Sequence, residues 1–348
     1  MRILSCLVFI LLPAVTLCQS GAKLPVNQLY IDGLNGDVQK ILSVLDTASN
    51  LDPDDLLFKE KYEKRFKLVS DTYEVTDDSA VQGIVNIYTA YWRSVLLRTM
   101  DLKKADELLK ASVIRFLKSE SPGSDHKDFQ ASLKSYLNRR GFYSTVGRTG
   151  GFYDLFVWKK EIEQTYWVGL PGQEIDVRVV FIEDVKTMGW EDYATFGRYY
   201  PAGWAKSDRL YCVKKAYDIQ SEKFLVSYLG HEAQHFADYK SYPKLGQIDL
   251  EYRAKLTELL LSKTTTHELI KMFIERSKND PLNPHAYANF KVVSHLSRAI
   301  WGGDIVSDLQ EWNQLPAEKI KDSARALFQE HSDRLVQVGS SSVTGVLH

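Results

Sequence analysis

The chemistry in this chain concentrates in five consecutive residues, His231-Glu232-Ala233-Gln234-His235. On an α-helix, side chains four residues apart stand one above the other, about 6 Å apart along the axis. Two imidazoles so placed can grip one divalent metal ion. A glutamate between them can take a proton from a water that the ion activates.

The helix that must present them reads clearly. At about 100° per residue, residues 221–240 place Leu225, Leu229, Ala233 and Phe236 on one face, expected to be buried. Tyr228, His231, His235 and Asp238 form a second stripe, with Glu232 between the two. From Tyr228 to Ala237 the only charge is Glu232, as expected of a helix entering a protein interior. The simpler role for the pair is two partly buried histidines satisfied by ordinary hydrogen bonds.

A catalytic metal needs a third protein ligand. Asp238 continues the stripe, but it lies about 7–8 Å along the axis from the midpoint of the histidines. The following helix, residues 247–262, is the better source. If it returns antiparallel from a turn centred near Pro243–Lys244, Ala233 faces Ala254, with Glu251 and Glu258 flanking that level. Glu251 is preferred, because Ala254 on its face allows close helix approach, and Glu258 is the alternative ligand. The competing role for Glu251 is a surface charge paired with Lys255 at i,i+4.

The uncharged frame around this motif resembles that of the zincin metallopeptidases, over about residues 210–260. That resemblance implies Zn²⁺ as cofactor, a substrate-binding strand at the sheet edge and a following helix that carries the motif. A strand candidate, Leu210-Tyr211-Cys212-Val213, sits just upstream. With Glu251 as ligand the chain is similar to the gluzincins, whose third ligand is a glutamate on a following helix. Thermolysin-like members have Asn before that glutamate and Asp four residues after it; here Leu250 and Lys255 occupy those positions. The metzincin pattern is absent, since Asp238 and Ser241 stand where its Gly and third His would be.

The activity implied is hydrolysis of peptide or protein substrates, with Glu232 as general base. A donor for the developing oxyanion would come from His285 or Tyr287, in Asn283-Pro284-His285-Ala286-Tyr287, with His295 and His267 as weaker candidates. Two other functions remain open: an exported binding protein with a structural HExxH, and a zinc hydrolase of non-peptide amides.

The elements around the motif give an α+β fold class, a zincin-like core of a small twisted sheet and helices preceded by a helical region. Helical spacing fills residues 24–138, clearest in the stripe of Ile84, Ile87, Tyr88, Tyr91, Trp92, Val95 and Leu96. Strand signals follow residue 141: a hairpin around Gly147-Arg148-Thr149-Gly150-Gly151, a Pro171-Gly172 turn, and alternation through Ile175, Val177, Val179 and Phe181. The metallopeptidase domain is expected over residues 141–338, with a frayed tail at 339–348. The aromatic stretch from Trp190 to Tyr211 is either a cleft wall or loop packing on the sheet.

Composition narrows the class. The 348 residues carry a net charge of -1, which gives neither a nucleic-acid footprint nor attraction to an anionic membrane. Residues 1–20 read as a signal peptide, too short to span a bilayer, cleaved after Cys18 or Ser20. A lipid anchor on Cys18 is the alternative. The expected location is outside the cytoplasm, secreted or periplasmic. Cys212 is the one cysteine of the body, so no internal disulfide framework is expected.

Overall fold

The computed structural model describes residues 23–121, 126–206 and 208–347. The expected leader, with Cys18, lies outside these residues. Helices α1 (Val26–Leu34), α2 (Val38–Thr47), α3 (Pro53–Tyr62), α4 (Ser79–Leu96) and α5 (Leu102–Glu120) come first. Helix α6 (Phe129–Arg139) leads into strands β1 (Tyr143–Thr149), β2 (Phe152–Leu170) and β3 (Gln173–Met188). After α7 (Gly189–Ala194), strands β4 (Gly203–Ala205) and β5 (Leu210–Val213) complete the sheet. Then come α8 (Glu222–Phe224), α9 (His231–Ser241), α10 (Gln247–Leu261), α11 (Thr266–Glu275), α12 (Pro284–Trp301), α13 (Leu309–Asn313) and α14 (Ala317–Val338). The class is α+β, and no helix among the described residues is long and apolar enough to cross a membrane.

The chain forms two compact units whose segments interleave along the sequence. The first holds the chain up to α5, together with residues 148–153 and 190–199. Helices α3, α4 and α5 start at aspartates: Asp52, Asp78 and Asp101 each accept a hydrogen bond from a first-turn backbone N–H. The apolar stripe of α4 is buried as its spacing predicts. Trp92 Nε1 donates to the Tyr153 carbonyl at 3.0 Å, and the Tyr91 hydroxyl accepts from Tyr153 N at 2.9 Å. These bonds tie the hairpin tip to the helical unit. The division therefore differs from the boundary expected at residues 138–141: α6 belongs to the second unit, with the sheet and the later helices.

The sheet order is β1-β2-β3-β5-β4. Strands β2 and β3 pair antiparallel across a two-residue turn, with Leu170 opposite Gln173. Gly172 there has φ +79, the left-handed conformation that glycine adopts freely. Strand β5 runs parallel to β3 and antiparallel to β4. The strand just upstream of the motif is thus interior, and the edge is β4. One face packs Val177, Val179, Phe181 and Leu210 against Phe224, Tyr228, Leu229, Ala233 and Phe236. The opposite face packs Phe156, Trp158, Ile182 and Val213. The aromatic stretch packs rather than lining a cleft: Trp190 and Tyr193 are buried in the helical unit, and Trp204 stacks on Tyr211 at 5.2 Å.

Two expectations about the motif region are corrected. A π-helical turn, Leu225–Gly230, separates α8 from α9. Its wider turn rotates the residues before it relative to a regular helix. Leu225, expected in the core, is 44% exposed, while Tyr228, expected on the histidine stripe, is 1% exposed against the sheet. Leu229, Ala233 and Phe236 keep their buried face. The tail is also not frayed. Val343 and Val346 are buried with Tyr242, Leu245, Leu250 and Leu335, and the buried Asp249 carboxylate accepts from Val346 N at 2.9 Å and Leu347 N at 3.3 Å. Polar residues hid the apolar spacing of Val343, Val346 and Leu347.

The motif helix is fastened at its start. Ser221 Oγ caps it by accepting from Phe224 N at 3.2 Å. The Glu222 carboxylate accepts from the backbone N–H of Thr264 and Thr265 and from the Thr265 hydroxyl at 2.8 Å, at the entrance to α11. Partial burial opposes ionisation, but these hydrogen bonds outweigh it and hold the carboxyl at about 2, below its usual 4.5. A depressed folded-state pKa stabilises the fold above the unfolded value and loses that contribution as pH falls through the folded one. Glu222→Gln should therefore lower stability at neutral pH by about 2 kcal/mol. In denaturant titrations across pH, the gap between wild type and variant should close between about pH 4.5 and pH 2. A gap independent of pH would contradict this account of the clamp.

Candidate metal centre

Helices α9 and α10 pack antiparallel, with a polar network fixing their register. Thr257 Oγ1 donates to Gln234 Oε1 at 3.0 Å, and Gln234 Nε2 donates to Asp238 Oδ1 at 2.9 Å. Arg253 Nε donates to both Asp238 oxygens, at 3.0 and 2.9 Å. Asp238 is therefore the partner of an arginine and is not a ligand candidate. Gln234 facing Thr257 and Asp238 facing Arg253 centre the turn near Leu245–Gly246, two residues later than the sequence reading placed it. The shift moves Glu258 from opposite Leu229 to opposite Ala233, the midpoint of the histidine pair. A Cβ at Gly230 would stand 2.5 Å from Leu261 Cδ1, a contact that a turn of the leucine side chain relieves.

In this register His231, His235 and Glu251 form a buried cluster whose ligand atoms all lie within 4.8 Å of one another. The two Nε2 atoms are 3.1 Å apart. Glu251 offers one oxygen to each ring, Oε2 at 3.5 Å from His231 Nε2 and Oε1 at 3.4 Å from His235 Nε2. Ligands at about 2.0–2.1 Å from a tetrahedral ion stand about 3.3–3.4 Å apart, so the cluster matches the spacing of such a site. The pairing of Glu251 with Lys255 at i,i+4 is not what the structure shows.

Glu258, the alternative ligand, lies behind the cluster. Its Oε1 is 2.8 Å from His231 Nδ1. A proton on Nδ1 donated to this carboxylate leaves the Nε2 lone pair directed at the cluster, the arrangement that orients metal-ligating histidines. His235 Nδ1 is buried without a hydrogen-bond partner among the described residues.

The charges within the cluster hold one another. Burial raises the pKa of Glu251, but contacts with His235, His285 and His231 win and keep it well below the usual carboxylate range. Burial lowers the pKa of His235, but the hydrogen bond and charge of Glu251 outweigh it, and the net shift is upward from 6.5. Glu232, between the histidines, is half-buried.

The remaining candidates are scattered. His285, at the start of α12, places Nδ1 2.8 Å from Glu251 Oε2 but out of line for a hydrogen bond, with its side chain 72% exposed. Tyr287 is buried with its ring stacked on Phe290 at 6.2 Å, and no hydrogen bond joins it to the cluster among the described residues. His295 Nδ1 lies 2.9 Å from the Tyr252 hydroxyl, and burial with nearby cations pushes its pKa down to about 4. His267 Nε2 donates to the Leu315 carbonyl at 3.0 Å.

Sequence reasoning missed two tyrosines. Burial and the charges of Glu232, Glu251 and Asp238 raise the pKa of Tyr239. Burial, with Cys212, Glu232 and Glu258, raises that of Tyr217. Burial and these charges keep both phenols protonated. Tyr239 lies four residues after His235, its ring stacked on the imidazole at 6.3 Å. That spacing was visible in the sequence; no pattern marks Tyr217. Cys212 is buried and free, and burial pushes its thiol up to about 12.

No family model, curated protein or solved structure matches the chain.

Metal affinity should respond to each part of this arrangement. Glu251→Ala should abolish stoichiometric binding, whereas Glu258→Ala should weaken it about 10–100-fold by freeing the His231 ring. Protons compete for His235 Nε2 from above its ordinary 6.5 downward, so binding should weaken by up to about tenfold per pH unit as pH falls below the raised value. Competition with a chromogenic chelator across pH measures both. Equal loss in the two variants would make Glu258 a direct ligand.

Proposed function

We propose that His231, His235 and Glu251 hold one Zn²⁺ and that the chain is an exported zinc-dependent hydrolase of peptide bonds, built on a zincin-like core of the gluzincin type. The observation that carries this reading is the convergence of two imidazole nitrogens and a carboxylate at tetrahedral-ligand spacing, with Glu258 2.8 Å behind His231. Nitrogen and oxygen donors without thiolate suit zinc in a hydrolytic role. The ordinary-hydrogen-bond alternative accounts less well for the three groups. It leaves Glu251 Oε2 and His235 Nδ1 buried without hydrogen-bond partners.

Zinc bound there supplies Lewis acidity toward the scissile carbonyl and lowers the pKa of a coordinated water. Glu232 removes a proton from the attacking water as the C–O bond forms, and then delivers it to the amine nitrogen as the C–N bond breaks. Tyr239, stacked on the His235 ring, is the hydroxyl donor we assign to the developing oxyanion, in place of His285 and Tyr287. The leader read over residues 1–20 supports action outside the cytoplasm.

Glu232→Gln separates chemistry from metal binding. It should retain about one zinc per chain and lose peptide hydrolysis by about 10²–10⁴-fold, the range for removing a general base. Elemental analysis beside a peptide-library digest reads both. A chain that takes up no zinc, or takes it up without cleaving any peptide, would favour the binding protein; cleavage confined to non-peptide amides would favour the third reading.

A further inference from the structure

Helix α10 is buried along most of its length and carries buried charges at Asp249, Glu251, Arg253, Lys255 and Glu258. Four have counter-groups: Asp249 meets His331, Glu251 meets His235, Arg253 meets Asp238 and Glu258 meets His231. Lys255 differs. Its side chain is 7% exposed, with no hydrogen bond and no carboxylate within 4.0 Å among the described residues. Its one contact of note is the Phe273 ring, 5.2 Å from Nζ to centroid. Its stem is buried while the ammonium opens onto a cavity with no protein anion beside it.

Lys255 lines a cavity of about 330 Å³, together with Arg276, Asn283, His285 and Asn289. No acidic residue lines it. Arg276 is exposed and has no ion pair among the described residues. The 18-residue helix α12 begins at this cavity and adds the positive end of its dipole. Asn289, 4% exposed, donates Nδ2 to the Arg276 carbonyl at 3.3 Å and so fixes the cavity wall beside Arg276. The cavity adjoins the metal cluster, because His285 belongs to its wall and stands 2.8 Å from Glu251 Oε2.

We infer that this cavity binds the terminal carboxylate of a peptide, so that the substrates are peptides with a free C-terminus cut close to that end. The inference rests on the hydrolase reading for the word substrate, and on Lys255 and Arg276 for the carboxylate. Glu251 and Lys255 are four residues apart on one helix, about 6 Å along its axis. One residue of peptide spans about 3.8 Å between Cα atoms, so a carboxylate held in this cavity puts the scissile carbonyl within a few residues of the C-terminus. A side-chain carboxylate offers the same charge without that fixed distance from the bond to be cut.

The test uses the full chain, first without metal. N-acetyl-Ala-Ala as the free acid, the same compound as its amide, and N-acetyl-Ala-Glu amide are titrated by NMR. The free acid should bind about tenfold or more tightly than either amide, the effect of one charge-assisted contact. Lys255→Met and the exposed Arg276→Gln should each erase most of that preference, while Glu232→Gln leaves it intact. With zinc restored, the free acid should be hydrolysed in preference to its amide, and both variants should lose that preference mainly through KM. Equal binding of acid and amide would overturn the inference, as would tighter binding of the glutamyl amide or an unchanged preference in a folded Arg276→Gln chain. Selective acid binding with no hydrolysis by the zinc-loaded chain would keep the carboxylate pocket and remove the hydrolase reading.

Discussion

Glu251 places a carboxylate, 3% exposed, between two imidazoles in the interior. Taking such a charge out of water costs several kcal/mol unless cations and hydrogen-bond donors meet it. The rest of the second unit is arranged around that requirement. The histidines must come from a helix held close enough to touch α10, and the helices must keep one register. The Asp238–Arg253 pair with Gln234 and Thr257 fixes the register. Removing one partner of a buried pair such as Asp238–Arg253 leaves an uncompensated charge, at about 3–5 kcal/mol. Packing of α9 on the sheet supplies the apolar side of the same balance.

Seen from α10, the polar groups are graded along one axis. Asp249 secures the C-terminal segment and His331, and Arg253 holds the motif helix. Glu251 faces the histidines, and Glu258 steadies the ring of His231. A helix buried on nearly every side has little solvent to satisfy these groups, so all but Lys255 act on a specific neighbour. That is why its sequence, Gln247 to Leu261, shows almost no amphipathic pattern despite its central position.

The sequence made the cluster legible because its geometry is local or nearly so. His231 and His235 are set by helical spacing, and Glu251 by a short turn and an antiparallel return. Glu258 was visible as a neighbour of the site, but its role turned on a two-residue shift in the turn centre, which no spacing rule resolves. The π turn at Leu225–Gly230 was invisible for a similar reason: a change of helical phase leaves the residues the same and moves only their faces. Strand β4, three residues long, is too short to show alternation, so the strand outside β5 went unread. The burial of Val343, Val346 and Leu347 depends on Asp249, nearly a hundred residues earlier, and long-range pairing of that kind leaves no local signal.

The account stands on the cluster being a preformed metal site. X-ray absorption at the zinc edge of the zinc-loaded chain tests this most directly. It should show a four-coordinate ion with two imidazole nitrogens at about 2.0–2.1 Å, carboxylate oxygen at about 2.0–2.2 Å and one further light ligand, with the imidazole signature halved in His235→Ala. Sulfur scattering at about 2.3 Å, or a six-coordinate oxygen shell unchanged by His235→Ala, would contradict it.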